Sequence, residues 1–170
     1  MCSSKMKEHL IIDGHNAIHA VPDLAKEMKR DRNLARDSLL HLLEPLQIKE
    51  GCLLTVVFDG RNGPQTVSMH RGNPDYTIVY SSSIEGADGV IEKMLMSANR
   101  PDRIVVVTND GLIRNCAYAN GASAMRVSEA LKRLDHCIEV SKESFKHKGS
   151  LKNGVANEKP FENKIPFPRK

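Results

Sequence analysis

Apolar residues along this 170-residue chain fall into two patterns, short unbroken runs and helical stripes, and the two alternate. Leu10-Ile11-Ile12 and Leu53-Leu54-Thr55-Val56-Val57-Phe58 are too short for helices and too continuous for half-exposed strands. Such runs belong to strands covered on both faces, as in parallel sheets packed between helices. Tyr76–Tyr80 and Arg103–Thr108 read the same way, and Ala122–Val127 is a weaker fifth strand. Helix signatures lie between them. Ala35, Leu39, Leu42, Leu43 and Leu46 make one apolar face over residues 32–48, with Pro45 predicting a kink or an early stop and Gly51 the terminus. Val90, Ile91, Met94, Leu95 and Ala98 mark a helix opening near Gly86, and Leu112–Asn120 is a short helix closed by Gly121. Ser128 is expected to cap a last helix carrying Leu131, Leu134 and Ile138. Residues 17–23 suggest a loop or short helical turn, and residues 60–75, punctuated by glycine and proline, a mobile surface loop.

Alternating strands and helices with short links place every strand's carboxyl end on one rim of the sheet. Three of the apolar runs end in an acid followed by glycine: Asp13-Gly14, Asp59-Gly60 and Asp110-Gly111. These acids therefore share the rim where open α/β sheets bind ligands. Asp-Gly is also a turn pair and aspartate a helix cap, so Asp13 by itself reads equally well as a site acid or a turn residue. Asp88 stands in the first turn of its helix, beside the buried stripe, where it serves either the helix dipole or the same site. Crowded carboxylates oppose folding unless a cation neutralises them. Oxygen-only ligands suit Mg²⁺ or Mn²⁺, and such an ion activates water for displacement at a phosphodiester. The expected chemistry is thus phosphoryl transfer to water on a nucleic acid or nucleotide, with nothing in the residues choosing RNA over DNA.

The length allows one domain and a tail rather than two domains. Net charge is +4, but residues 1–140 hold 17 Lys and Arg against 18 Asp and Glu, while residues 141–170 hold 8 against 3. We therefore expect a near-neutral domain over 1–140 and a basic, disordered tail over 141–170 that attracts polyanions without sequence preference. Four dispersed cysteines suggest neither a zinc knuckle nor a redox pair, and the polar first nine residues lack the apolar core of a signal peptide. A cytoplasmic protein with no membrane role is expected. Aromatic residues are 4% of the chain and tryptophan is absent, which disfavours a base-stacking platform. Affinity for nucleic acid would come from phosphate contacts by Arg61, Arg71, Arg114, Arg126 and the tail. His15 and His19 have the spacing of a zinc helix, but Asn16 replaces the glutamate such a helix needs. There is no phosphate-binding glycine loop, and the serines at 81–83 lack a placed base.

Ile-Ile-Asp-Gly-His-Asn at 11–16, Val-Val-Phe-Asp-Gly at 56–60, Glu-Gly-Ala-Asp-Gly-Val-Ile-Glu at 85–92, Val-Val-Thr-Asn-Asp at 106–110 and Gly121-Ala122 recur in order along the chain. Over roughly residues 8–140 this set resembles the YacP-like branch of the NYN domains, within the PIN-like nuclease group. The resemblance implies a PIN-like three-layer α/β/α sandwich around a mainly parallel sheet of about five strands. It also implies a metal-dependent endoribonuclease acting in RNA decay or processing, in some members on the ribosome. By the same resemblance Asp13, Asp88 and Asp110 are the metal ligands, Glu92 completes or water-bridges the site, and Asn16 orients a ligand or phosphate. Asp59 falls to an orienting role, and Thr108 or Asn109 would orient a phosphate or ligand. His15 stands where the family usually has an aromatic residue. Two other readings remain: a non-catalytic RNA- or ribosome-binding module on the same fold, and a PIN-like nuclease acting on DNA.

Overall fold

A computed structural model of the chain describes residues 6–150, with side chains through residue 143. Six strands, β1 (His9–Asp13), β2 (Leu53–Phe58), β3 (Thr66–Met69), β4 (Tyr76–Tyr80), β5 (Ile104–Val107) and β6 (Ser123–Met125), form one sheet in the order β3-β4-β2-β1-β5-β6. All pairings are parallel except β3 with β4, which is antiparallel. The helices are α1 (Gly14–Ala20), α2 (Pro22–Arg30), α3 (Arg32–Glu50), α4 (Gly86–Met96), α5 (Gly111–Ala119) and α6 (Val127–Ser150).

The period-two geometry of the strands divides the core. Leu10, Ile12, Leu54, Val56, Phe58, Tyr76 and Ile78 face α1, α2, α3 and α6, where Ala17, Ile18, Leu24, Leu39, Leu43, Leu46 and Leu134 meet them. Ile11, Val57, Val79, Ile104 and Val106 face α4 and α5 and pack on Ala87, Val90, Ile91, Leu95, Ile113 and Ala117. The result is the three-layer PIN-like sandwich expected, with helices on both faces of a mostly parallel sheet. Gly51 and Gly121 close α3 and α5 with φ of +60° and +80°, the left-handed conformation that favours glycine after a helix.

Four expectations are corrected. The sheet has six strands, because residues 66–69 inside the expected loop pair with β4. All four of those residues are exposed, so no buried face marked them as a strand. A short 3₁₀ turn at His70–Gly72 then leads back to β4. The stretch read as a loop or short helical turn after Asn16 is two longer helices: Asp13 caps α1, and Pro22 opens α2 at its first position, where a missing N–H costs nothing. Helix α3 passes through Pro45 to Glu50 without an early stop. Helix α6 begins at Val127, whose N–H donates to Asn109 Oδ1 at 3.1 Å, with Glu129 rather than Ser128 closing its first turn by accepting from the Arg126 N–H at 2.6 Å.

The described residues divide into two units, with the boundary between Ile138 and Glu139, inside α6. The helix continues to Ser150, past the boundary expected at Ser141. The rest of the expected tail, residues 151–170, lies outside the described residues. Among the described residues no helix is long and apolar enough to cross a membrane.

Candidate active site

Strand register decides which side chains meet at the carboxyl rim. Asp13 pairs with Val57 and Ile12 with Val107, so Asp59 and Asp110 lie just beyond the ends of the strands that flank β1 on its two sides. Helix α4 enters on the same rim because Asp59 Oδ1 accepts from the Ala87 N–H at 2.8 Å, fastening the helix to the end of β2. A cleft of about 220 Å³ results, lined by Asp13, His15, Asn16, Asp59, Glu85, Ala87, Asp88 and Asp110.

Asp13 is buried, 2% exposed, and its orientation is fixed by three donors. Its Oδ1 accepts from the Asn16 N–H at 3.2 Å, and its Oδ2 accepts from Asn16 Nδ2 at 2.6 Å and from Thr108 Oγ1 at 3.2 Å. The helix-cap and site readings of this residue are therefore compatible: the same carboxylate starts α1 and faces the cleft. Thr108, fully buried, also accepts from the Asp110 N–H at 3.1 Å, and Asp110 Oδ1 caps α5 by accepting from the Leu112 N–H at 2.7 Å. One hydroxyl thus links two strand-end acids. Asp59 is supported from behind by Arg36, whose Nη2 donates to the Asp59 carbonyl at 2.6 Å while its guanidinium lies 5.4 Å and 5.2 Å from the ring centres of Phe58 and Tyr80.

The four aspartates are near enough to act on one another through their charges. Partial burial, then the charges of Asp13, Asp110 and Asp59, hold the Asp88 carboxyl above the usual carboxylate range. Among the described residues none of these four acids has a salt bridge to lysine or arginine, and no lysine or arginine lines the cleft. An all-oxygen donor set without a cationic partner is the chemistry of a hard divalent ion. Because the folded Asp88 binds its proton more tightly than the unfolded chain does, its contribution to stability is greatest below the ordinary carboxylate value of about 3.9. That contribution is lost as pH rises through the raised folded value. Without divalent ions, Asp88→Asn should therefore melt above the wild type at neutral pH, with the gap shrinking in acid. A pH-independent difference in thermal unfolding would contradict the coupling.

Other sequence-derived residues are placed differently. Glu92 is exposed on α4, one turn beyond Asp88, and does not line the cleft, whereas Glu85 does. Sequence reading passed over Glu85, although it opens the Glu-Gly-Ala-Asp motif; it forms an ion pair with Lys93 at 2.6 Å. Arg71 is carried by the antiparallel β3 to the opposite rim, where its Nη1 lies 3.4 Å from Glu44, so it is not a cleft residue. Arg61 and Arg126 are exposed in the segments that leave β2 and β6 at the cleft rim, and Arg114 is half-buried on α5. Asn16 and Thr108 bond to the acids, and Asn109 bonds to α6.

Comparison with known proteins gives a consistent picture. The model of the YacP-like NYN domain family matches residues 10–165. A curated relative, the uncharacterized protein YacP of Bacillus subtilis (strain 168), is 27% identical over 127 residues, 74% of each chain. Two crystal structures of Rae1 (YacP) from Bacillus subtilis are similar at 27% identity. A leucine-for-tryptophan mutant has a TM-score of 0.70 and covers 91% of this chain and 87% of its own. The second has a TM-score of 0.68, with 85% and 83% covered.

Proposed function

Because the chain belongs to the YacP-like NYN domain family, whose PIN-like fold is that of nucleases, we propose that it is a divalent-metal-dependent endoribonuclease. The observation that carries this reading is the convergence of Asp13, Asp59, Asp88 and Asp110 on one cleft with no lysine or arginine among the described residues that line it. Asp13, Asp88 and Asp110 would hold Mg²⁺ or Mn²⁺, with Glu85 or Asp59 rather than Glu92 completing the set. The ion supplies Lewis acidity and an activated water when bound. The chain's own groups fix the geometry: Asn16 and Thr108 lock the Asp13 carboxylate, and Thr108 holds the Asp110 backbone at the distance their shared hydroxyl sets. Such supporting hydrogen bonds matter to metal affinity nearly as much as the ligands themselves.

RNA, free or carried by a ribosome, is the proposed substrate in the cytoplasm. Arg61, Arg114 and Arg126 would contact its phosphates, and the basic residues 141–170 would add affinity that salt weakens. The proposed nuclease unit is residues 1–140, a reading supported by the compact unit that ends at Ile138. Incubating the metal-stripped protein with single-stranded RNA, single-stranded DNA and flap DNA, with and without Mn²⁺ or Mg²⁺, tests the reading. Cleavage of RNA is expected with the ion and not after chelation. Cleavage of DNA alone would favour the PIN-like DNA nuclease, and metal-independent RNA binding without cleavage the non-catalytic module.

A further inference from the structure

The rim opposite the acid cleft carries a second group of ligand side chains. His41 and Glu44 project together from α3 at i and i+3 spacing, and the 3₁₀ turn after β3 brings His70 to them from 26 residues beyond Glu44. Nδ1 of His41, Oε1 of Glu44 and Nε2 of His70 all lie within 4.8 Å of one another. Glu44 Oε1 is 2.7 Å from the His70 nitrogen and 3.1 Å from the His41 nitrogen. We propose that His41, Glu44 and His70 form a separate binding site for one Zn²⁺-class transition-metal ion.

Two imidazoles and a carboxylate make up the protein ligand set of three-ligand zinc sites, in which water fills the fourth position. Tetrahedral zinc with bonds of about 2.0–2.1 Å holds its ligand atoms roughly 3.3–3.4 Å apart. The two separations to Glu44, 2.7 and 3.1 Å, fall somewhat short of that spacing, and the two imidazole nitrogens lie within 4.8 Å of each other. Room for the fourth ligand exists: a cavity of about 180 Å³ opens against Glu44, His70, Arg71 and Tyr76.

The turn bearing His70 is built independently of the imidazoles. Asn73 Nδ2 donates to Gln47 Oε1 at 2.9 Å, the Asn73 N–H donates to the His70 carbonyl at 2.9 Å, and the His70 ring packs 4.6 Å from that of Tyr76. Arg71 takes the left-handed conformation there, φ 50° and ψ 34°, which a non-glycine residue adopts at a cost that the surrounding turn must offset. Its guanidinium competes with an incoming cation for Glu44. That side chain is 66% exposed, so it can swing into solvent when the ion enters. The nitrogen-containing set prefers a borderline ion, whereas the all-oxygen cleft prefers a hard one, so the two sites discriminate between metals. Bound zinc would clamp α3 to the β3–β4 turn, at the far rim from the chemistry.

Metal binding to the full-length protein tests this without reference to cleavage, so the outcome is separate from that of the nuclease reading. In excess Mg²⁺, added to compete at surface and cleft carboxylates, titration calorimetry should give one Zn²⁺ per chain, and Co²⁺ should give the strong visible absorption of a four-coordinate site. His41→Ala removes a half-exposed ring and leaves the core intact; it should lower Zn²⁺ affinity at least about 100-fold, the upper end of what loss of a mere supporting residue costs. Glu44→Gln and His70→Ala should act in the same direction, while the His15→Ala/His19→Ala double variant should bind as wild type does. Unchanged affinity in His41→Ala, no Zn²⁺ uptake in the presence of Mg²⁺, or loss confined to the His15/His19 variant would each overturn the proposal.

Discussion

Asp13→Asn should lower the rate of RNA cleavage at least about 100-fold at saturating Mn²⁺ while the protein remains folded. Both carboxylate oxygens of Asp13 accept hydrogen bonds, from the Asn16 backbone and side chain and from Thr108. An asparagine amide there replaces one oxygen by NH2, which then faces either the Asn16 N–H or both Asn16 Nδ2 and the Thr108 hydroxyl. The substitution therefore removes a negative charge from the proposed metal site and breaks part of the bonding that fixes residue 13. Leaving a buried donor unsatisfied costs about 1–3 kcal/mol, a fraction of a domain's usual stability, so circular dichroism should still report a folded chain. Cleavage at the wild-type rate, measured beside unaltered Mn²⁺ binding, would remove Asp13 from the site.

Gly60→Ala is expected to be the most disruptive single methyl group near the cleft. A Cβ at Gly60 would stand 1.9 Å from the Ser81 carbonyl oxygen, and the obstacle is backbone that cannot rotate away. That backbone is itself tied down, since the Ser81 N–H donates to the Phe58 carbonyl at 2.9 Å and the Gly60 N–H donates to Ser81 Oγ at 3.2 Å. Forcing the two segments apart should cost roughly 3 kcal/mol and lower the melting temperature by about 10 °C. It should also move Asp59 and, through the Ala87 N–H, the entry of α4. Gly111→Ala is the control: the nearest atom to its Cβ is the end of the Arg114 side chain at 3.9 Å, and no comparable loss is expected. Equal melting of the two variants would show that the contact at Gly60 yields.

The three Asp-Gly pairs at strand ends show what the sequence can and cannot convey. All three look like the same strand-ending turn, yet Gly14 is required by the Phe58 ring, 2.4 Å from its would-be Cβ, Gly60 by the Ser81 backbone, and Gly111 by neither. Strands β1, β2, β4 and β5 are legible because burial on both faces removes polar residues from them. Strand β3 is not, because it is four residues long and wholly exposed, with Val67 and Met69 left in solvent. Helix α2 is equally hidden: Leu24 is its one buried residue, so its apolar stripe is too thin to read. The grouping of Asp13, Asp59 and Asp110 follows from strand direction alone, whereas the exclusion of Glu92 and Arg71 depends on the extra turn of α4 that carries Glu92 away from the rim and on the reversal of β3. Neither is encoded in spacing.

The exposed segment Arg61–Gln65 joins a half of the chain that owns Asp13 and Asp59 to a half that owns Asp88 and Asp110. Nicking the polypeptide there leaves two pieces, each with half of the acids, and because β2 and β1 of the first sit between β4 and β5 of the second the pieces meet along two seams of the sheet. Neither fragment alone could assemble the cleft, so reconstitution from separately made fragments would report directly on re-formation of both seams.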